Sequence, residues 1–314
     1  MREIDAVDAV HSCFFSKGVF RNTLLTTELK FSFVIFSEVF IMYSENYSEY
    51  EIIDAHAHIF PHKIADAATV NIGNFYDLPM HSSGSSERLV EHGNEVGVKM
   101  YLVCSTATSP HQVNAINKFI AKECEKYPSF FGLGTLHPDS DKIDDELADI
   151  KNFGLHGIKI HPDFQKFAMD SKQAYKIYER IEGDLPILIH CGDSRYKFSS
   201  PKMVATIHRD FPKMKIIAAH FGGYSQWDEA AQYVAGLDNV RVDTSSSTKF
   251  LGKQKTKKMI ETYGIENCFF GSDFPMWDQK SELDRLFELN LTHEQYQKIF
   301  AENFKSFFNI HKVK

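Results

Sequence analysis

The sequence predicts an α/β chain folded as a (β/α)8 barrel of the TIM type over residues 49–314. The first observation behind this is a rhythm. Short apolar, β-branched runs alternate with longer amphipathic stretches, eight times over, in roughly the length such barrels need. The second is position: the residues able to carry chemistry stand where those apolar runs end, the face on which barrels build their active sites. A doubly wound sheet is the alternative. It calls for a Gly-rich G-x-G-x-x-G turn after the first strand, and no such turn follows there.

In chain order, residues 1–48 stand apart. They are rich in Phe, Ser and Thr and lack a helical or alternating period. They read as an N-terminal extension, disordered or the product of a mis-called start, with Met42 as the natural initiator; an arm packed on the domain is the alternative. Its apolar run 31–42 is too short to span a bilayer and carries Glu38. The first ten residues are acidic rather than basic, unlike a signal peptide.

Strands are expected at 51–55, 99–104, 130–135, 156–160, 186–190, 215–219, 239–243 and 267–271. Helices are expected near 85–97, 111–127, 141–153, 171–182, 200–211, 226–236, 253–264 and 279–290, followed by a helical stretch at 292–308. The helical assignments rest on 3.6-residue spacing, as where Ile143, Leu147 and Ile150 share a face and Asp144, Asp145 and Asp149 lie elsewhere. Ser109-Pro110 marks a helix start, and Gly183 and Gly264 mark stops.

Composition narrows the function. The formal charge of -7 offers no basic surplus for nucleic acid, and no stretch is long enough for a membrane span, so a small molecule is the expected partner; a homodimer is compatible with the same composition. Five scattered cysteines without a C-x-x-C pair argue against a disulfide framework or a thiolate zinc site and fit a reducing cytoplasm.

The chemistry starts at residues 52–61, IIDAHAHIFP. His56 and His58 are two apart, so on a strand both imidazoles face one point, as a metal ion needs. A bare H-x-H at a strand end is equally a pair of surface histidines. The later strand ends weigh against that reading: His161 follows the fourth strand, His190 the fifth, His220 the sixth, and Asp273 the eighth. Together His56, His58, His190, His220 and Asp273 supply donors suited to zinc, iron or manganese. Parity turns Lys159 and His161 inward while Ile158 and Ile160 face the helices; Leu188 and His190 turn inward between Ile187 and Ile189. An inward lysine is costly without a partner, so Lys159 is a functional candidate, with a salt-bridged structural lysine as the alternative. Arg195 offers a bidentate partner for a substrate carboxylate, or is a surface arginine. Phe60, Tyr224 and Trp277 follow the ligand motifs and are candidates for an aromatic wall. A weak echo, His137-Pro138-Asp139 and His161-Pro162-Asp163, ends two strands.

With IDAHAH at 53–58, LIHCG at 188–192, AAHFGG at 218–223 and FGSDFP at 270–275, the chain resembles the amidohydrolase superfamily. It is most similar to the family 2 branch that includes aminocarboxymuconate-semialdehyde decarboxylase and related aromatic-acid decarboxylases. The tail at 298–310 resembles that branch's closing helix. The resemblance implies that His56, His58, His190 and Asp273 hold a divalent metal, with zinc the expected ion and manganese or iron as alternatives. It makes Asp273 and His220 the catalytic pair. Lys159, His161 and Arg195 remain for a second metal or for substrate; one metal is favoured, and a carboxylated Lys159 bridging two is the alternative. The activity this implies is hydrolysis of an amide, ester or lactone, with Asp273 moving the proton and His220 steadying the charged oxygen. The alternative is a carboxy-lyase, in which Asp273 or His220 protonates carbon as CO2 departs. A metal-binding protein without catalysis is the reading from another class.

Overall fold

A computed structural model describes residues 47–310. The extension expected at 1–48 lies outside these but for its last two residues, Tyr47 and Ser48, which open the 3-10 turn Tyr47–Glu49. Tyr47 is buried, with its ring 5.6 Å from that of Phe287.

The described residues form nine parallel strands: β1 Ile52–His58, β2 Val98–Cys104, β3 Phe130–Gly132, β4 Gly134–Thr135, β5 Ile158–Ile160, β6 Ile187–Ile189, β7 Ile216–Ala218, β8 Val240–Asp243 and β9 Cys268–Phe269. They run in sequence order as β1-β2-β3 and β4 to β9. β3 and β4 are two halves of the expected third strand, interrupted at Leu133. Its amide still bonds to the Val103 carbonyl at 2.9 Å, while the Gly134 amide turns to the Gly157 carbonyl at 2.9 Å. The circle closes where Ala55 N donates to Phe270 O at 2.8 Å and His58 N to Phe274 O at 2.7 Å. Eight staves in a ring of parallel strands make a (β/α)8 barrel.

Parity holds as expected. Ile158, Ile160, Ile187 and Ile189 pack under the outer helices, whereas Leu188 joins Ile53, Met100, Leu102 and Ile217 inside the barrel. Close packing explains the glycine at 132. A Cβ there would sit 2.6 Å from Cys124 Sγ, on the helix Val113–Lys126 that covers β3. The interior is closed at its N-terminal end by the helix Asn303–Phe308, whose Phe304 and Phe307 rings lie 5.8 and 5.6 Å from Phe269.

Two boundaries differ from expectation. β1 continues through His58, because its pairing with β2 and the bond to Phe274 beyond β9 extend it past residue 55. The expected helix 253–264 begins at Thr248, with Gly252 breaking it at φ 66°. Two helices were not foreseen, His62–Tyr76 after β1 and the single turn Pro162–Gln165 after β5. Among the described residues no helix is long and apolar enough to cross a membrane.

Candidate active site

At the C-terminal end of the barrel, β1 presents two imidazoles to one carboxylate. His56 Nε2 and His58 Nε2 are 3.2 Å apart, and Asp273 Oδ1 lies 3.6 and 3.3 Å from them. Behind His56, Asp243 Oδ2 takes the Nδ1 proton at 3.0 Å, which leaves Nε2 as a bare lone pair aimed at the cluster. The Lys159 ammonium, fully buried, donates to that lone pair at 2.9 Å. Two imidazole nitrogens and a carboxylate oxygen converging on one spot, with the rear nitrogen of His56 held by a carboxylate, are the donor set that suits a divalent ion.

A second pair of imidazoles stands beside the first. His190 Nε2 donates to the Gly192 carbonyl at 3.0 Å, which turns the lone pair of its Nδ1 toward His220 Nε2 at 3.0 Å. His220 is anchored through Nδ1 on Ser245, with Oγ at 2.9 Å and the carbonyl at 3.1 Å, and its ring stacks on His56 at 5.1 Å. The expected fourth ligand, His190, therefore makes its close contacts with His220 and with His161, whose ring lies parallel at 3.8 Å. His161 has both nitrogens engaged: Nδ1 accepts from Phe164 N at 3.3 Å, and Nε2 meets the Tyr76 hydroxyl at 2.9 Å. His137 uses Nδ1 in a similar way, accepting from Asp139 N at 3.2 Å, so the repeated His-Pro-Asp serves local chain turns.

Electrostatics follow from burial. Burial raises the Asp273 carboxyl, but the imidazoles of His56 and His220 and the bond from His58 outweigh it and hold it well below the usual carboxylate range. Asp243 is likewise held down to about 2, against burial, chiefly by His56. Burial and then the Lys159 charge lower His56 to about 4, keeping the ring neutral. Burial and the facing His220 hold His190 well below its ordinary value.

The loops that carry these groups are constrained. His220, Phe221 and Gly222 take φ of 61°, 50° and 71° in succession, and Asp273 takes 60°. Left-handed backbone at non-glycine residues costs energy and concentrates at functional sites. It is maintained here by Phe221 N on Asp243 O at 2.8 Å and Asp273 N on His56 O at 2.8 Å. Gly192, at φ 82°, lies so near the next loop that a Cβ would fall 2.5 Å from Tyr224 N.

A cavity of about 650 Å³ opens from this cluster. Its floor carries His58, His161, His190, His220 and Asp273, and its walls are mainly apolar, with Phe60, Ile64, Ile72, Phe75, Ile116 and Phe119 among them. Among the described residues Asp273 is its one carboxylate, and no lysine or arginine lines it. Arg195 is held elsewhere. Its guanidinium pairs with Asp193 Oδ1 and Oδ2 at 2.9 and 2.7 Å and donates to the Phe75 carbonyl at 2.7 Å. Of the aromatic candidates, Phe60 reaches the cavity; Tyr224 packs behind Tyr76 at 5.5 Å, and the Trp277 indole donates to Ser246 Oγ at 2.9 Å.

Sequence reasoning passed over Asp243, Tyr76 and Cys104. Asp243 ends β8 after an apolar run, the same signal that marked the histidines. Cys104 ends β2 with Sγ 3.7 Å from His58 Nδ1. Tyr76 ends an unforeseen helix and carried no signal of its own.

The amidohydrolase family profile matches residues 53–310. No curated protein matches the chain. Among solved structures, 5-carboxyvanillate decarboxylase from Sphingomonas paucimobilis is similar at 15% identity and TM-score 0.64, over 83% of this chain and 99% of that one. Dihydroxybenzoic acid decarboxylase from a Polaromonas species, with bound manganese and the inhibitor 2-nitroresorcinol, is similar at 15% and 0.64, over 84% and 98%. The 2,6-dihydroxybenzoate decarboxylase from Rhizobium is similar at 16% and 0.61, over 84% and 100%. At such identities the likeness speaks for the fold. The profile spans most of the chain and includes all four expected ligand positions, from His56 to Asp273: the chain belongs to the amidohydrolase family, in its family 2 branch.

Proposed function

We propose that this enzyme is a metal-dependent carboxy-lyase that removes CO2 from a small aromatic acid. The observation that carries the reading is the cavity, in which apolar walls lead to a floor of imidazoles and one carboxylate. Apolar walls do not solvate a carboxylate, so an aromatic acid would enter with that group at the floor, while neutral CO2 formed there can leave past the walls. The three decarboxylases of like fold support the same choice over the hydrolysis first expected. Hydrolysis is the second reading, favoured by the family match itself.

His56, His58 and Asp273 would hold the divalent ion, with His190 as the fourth ligand that the family resemblance implies. When bound, the ion would fix the substrate's carboxylate and a neighbouring oxygen and draw electron density from the ring. The remaining work belongs to the chain. Asp243 holds the His56 ring through Nδ1, and burial with the nearby Lys159 charge keeps the ring neutral, so that Nε2 stays able to bind the ion. The Ser246 hydroxyl on Asp273 Oδ2 at 2.5 Å leaves Oδ1 toward the floor of the cavity. As the bond between ring and carboxylate breaks, its electron pair stays on the ring carbon. Asp273, ionised at rest, relays to that carbon a proton drawn from solvent, and CO2 leaves. His220 steadies the charge that develops on the substrate oxygen.

The test is CO2 release by protein reconstituted with manganese or with zinc, across a panel of hydroxylated benzoic acids, with D273N as control. Release that needs the metal and is lost in D273N is the expected result. A new acid or amine without CO2 would instead establish hydrolysis.

A further inference from the structure

The helix His62–Tyr76 is built inside out. The residues it buries against the protein are small, Ala65, Thr69 and Gly73. Its larger apolar side chains, Ile64, Ile72 and Phe75, line the cavity, with Ala68 between them at helical spacing. Ile64 stands 52% exposed at the helix's first turn. An amphipathic helix normally puts its bulk into the core, so this arrangement directs apolar surface at something that occupies the cavity. The facing wall is apolar too: the helix Val113–Lys126 buries Val113 and Ile120 in the core and still turns Ala115, Ile116 and Phe119 to the cavity.

From these walls we infer that the groove between the two helices binds a long, uncharged apolar part of the substrate. The substrate class is then a carboxylic acid bearing a second ring or an alkyl chain, rather than a single-ring or dicarboxylic acid. The inference rests on the reading that the acid enters with its carboxylate at the histidine floor. Size supports it. A dry apolar cavity of about 150 Å³ already holds benzene, whereas this one measures about 650 Å³. Charge supports it as well. Among the described residues no lysine or arginine lines the groove, and the guanidinium of Arg195 is already paired with Asp193, so a second carboxylate there would enter unpaired. Met80 and Met276 in the lining are flexible side chains able to fit themselves around such a tail.

The experiment is isothermal titration calorimetry of the full-length, manganese-reconstituted protein with benzoate, biphenyl-4-carboxylate and terephthalate. Biphenyl-4-carboxylate is expected to bind on the order of tenfold tighter than benzoate or better, and terephthalate more weakly than either. I64D, at a half-exposed position, and F119A should each lower the biphenyl-to-benzoate affinity ratio toward one. A wild-type ratio of one or below, terephthalate binding as tight as the biphenyl acid, or a ratio unmoved in both variants overturns the inference. CO2 release is assayed separately on the 2-hydroxy counterparts of these acids. Tight biphenyl binding without CO2 ends the carboxy-lyase reading and leaves the groove assignment standing. CO2 from single-ring acids with no gain for biphenyl does the reverse.

Discussion

At its N-terminal end the barrel interior finishes on rings. Phe131, Phe269, Phe304 and Phe307 pack edge to face, and the polar links around them run mainly to backbone, as where Lys215 Nζ meets the Phe307 carbonyl at 2.9 Å. At its C-terminal end the same interior finishes on His56, His190, His220, Asp243, Asp273 and Lys159, all buried and each bonded to another polar group. The plug needs only apolar bulk of the right shape. The histidine floor needs particular atoms at particular distances, on backbone held in unfavourable φ. One end supplies stability, and the other spends some of it on chemistry.

Three substitutions test that division. The largest effect is expected from D273N, which removes the proposed proton-transferring group. Turnover should fall by a factor on the order of 10² to 10⁴, while denaturant unfolding shows that the fold persists. Loss of the fold together with activity would break the division. Next is F304A in the plug. Urea titration should show about 3–5 kcal/mol lost, with turnover per folded molecule unchanged. Altered turnover in the folded fraction would mean that the two ends communicate.

The smallest effect concerns Asp278, which caps the helix Gln279–Phe287 by accepting from Ser281 N at 2.8 Å, clear of the metal cluster. Burial opposes its ionisation, but the Ser281 hydroxyl and amide outweigh it and hold the carboxyl below its ordinary value. A lowered folded-state pKa contributes stability above the unfolded value, and that contribution is lost as pH falls through the folded one. D278A should therefore cost about 1 kcal/mol at neutral pH, shrinking as pH drops below about 4. A deficit that stays constant with pH would assign the loss to packing alone.

Much of this was legible in the residues, and the exceptions share a cause. Parity placed Lys159, Leu188 and His190 inside because a strand allows only two faces. Each histidine was visible because an imidazole after a buried apolar run has no ordinary reason to be there. The helix His62–Tyr76 escaped because its apolar bulk faces a cavity, so it lacks the core-facing stripe by which helices are recognised. Arg195 resembled a carboxylate receptor because its partner Asp193, two residues earlier, is brought beneath it only by the turn they share. The break at Leu133 depends on how two sheet segments meet, which lies beyond local pattern.

Gly192 has a consequence for how such a protein can change over time. Its backbone lies against the Gly223–Tyr224 backbone, so neither loop can accept a bulkier residue at the contact without displacing the other. The His190 and His220 loops must therefore vary together or not at all. The wall formed by the helix His62–Tyr76 is under no such lock, since Ile64 stands half in solvent. New substrates would accordingly be acquired by rewriting that wall, while the floor is inherited unchanged.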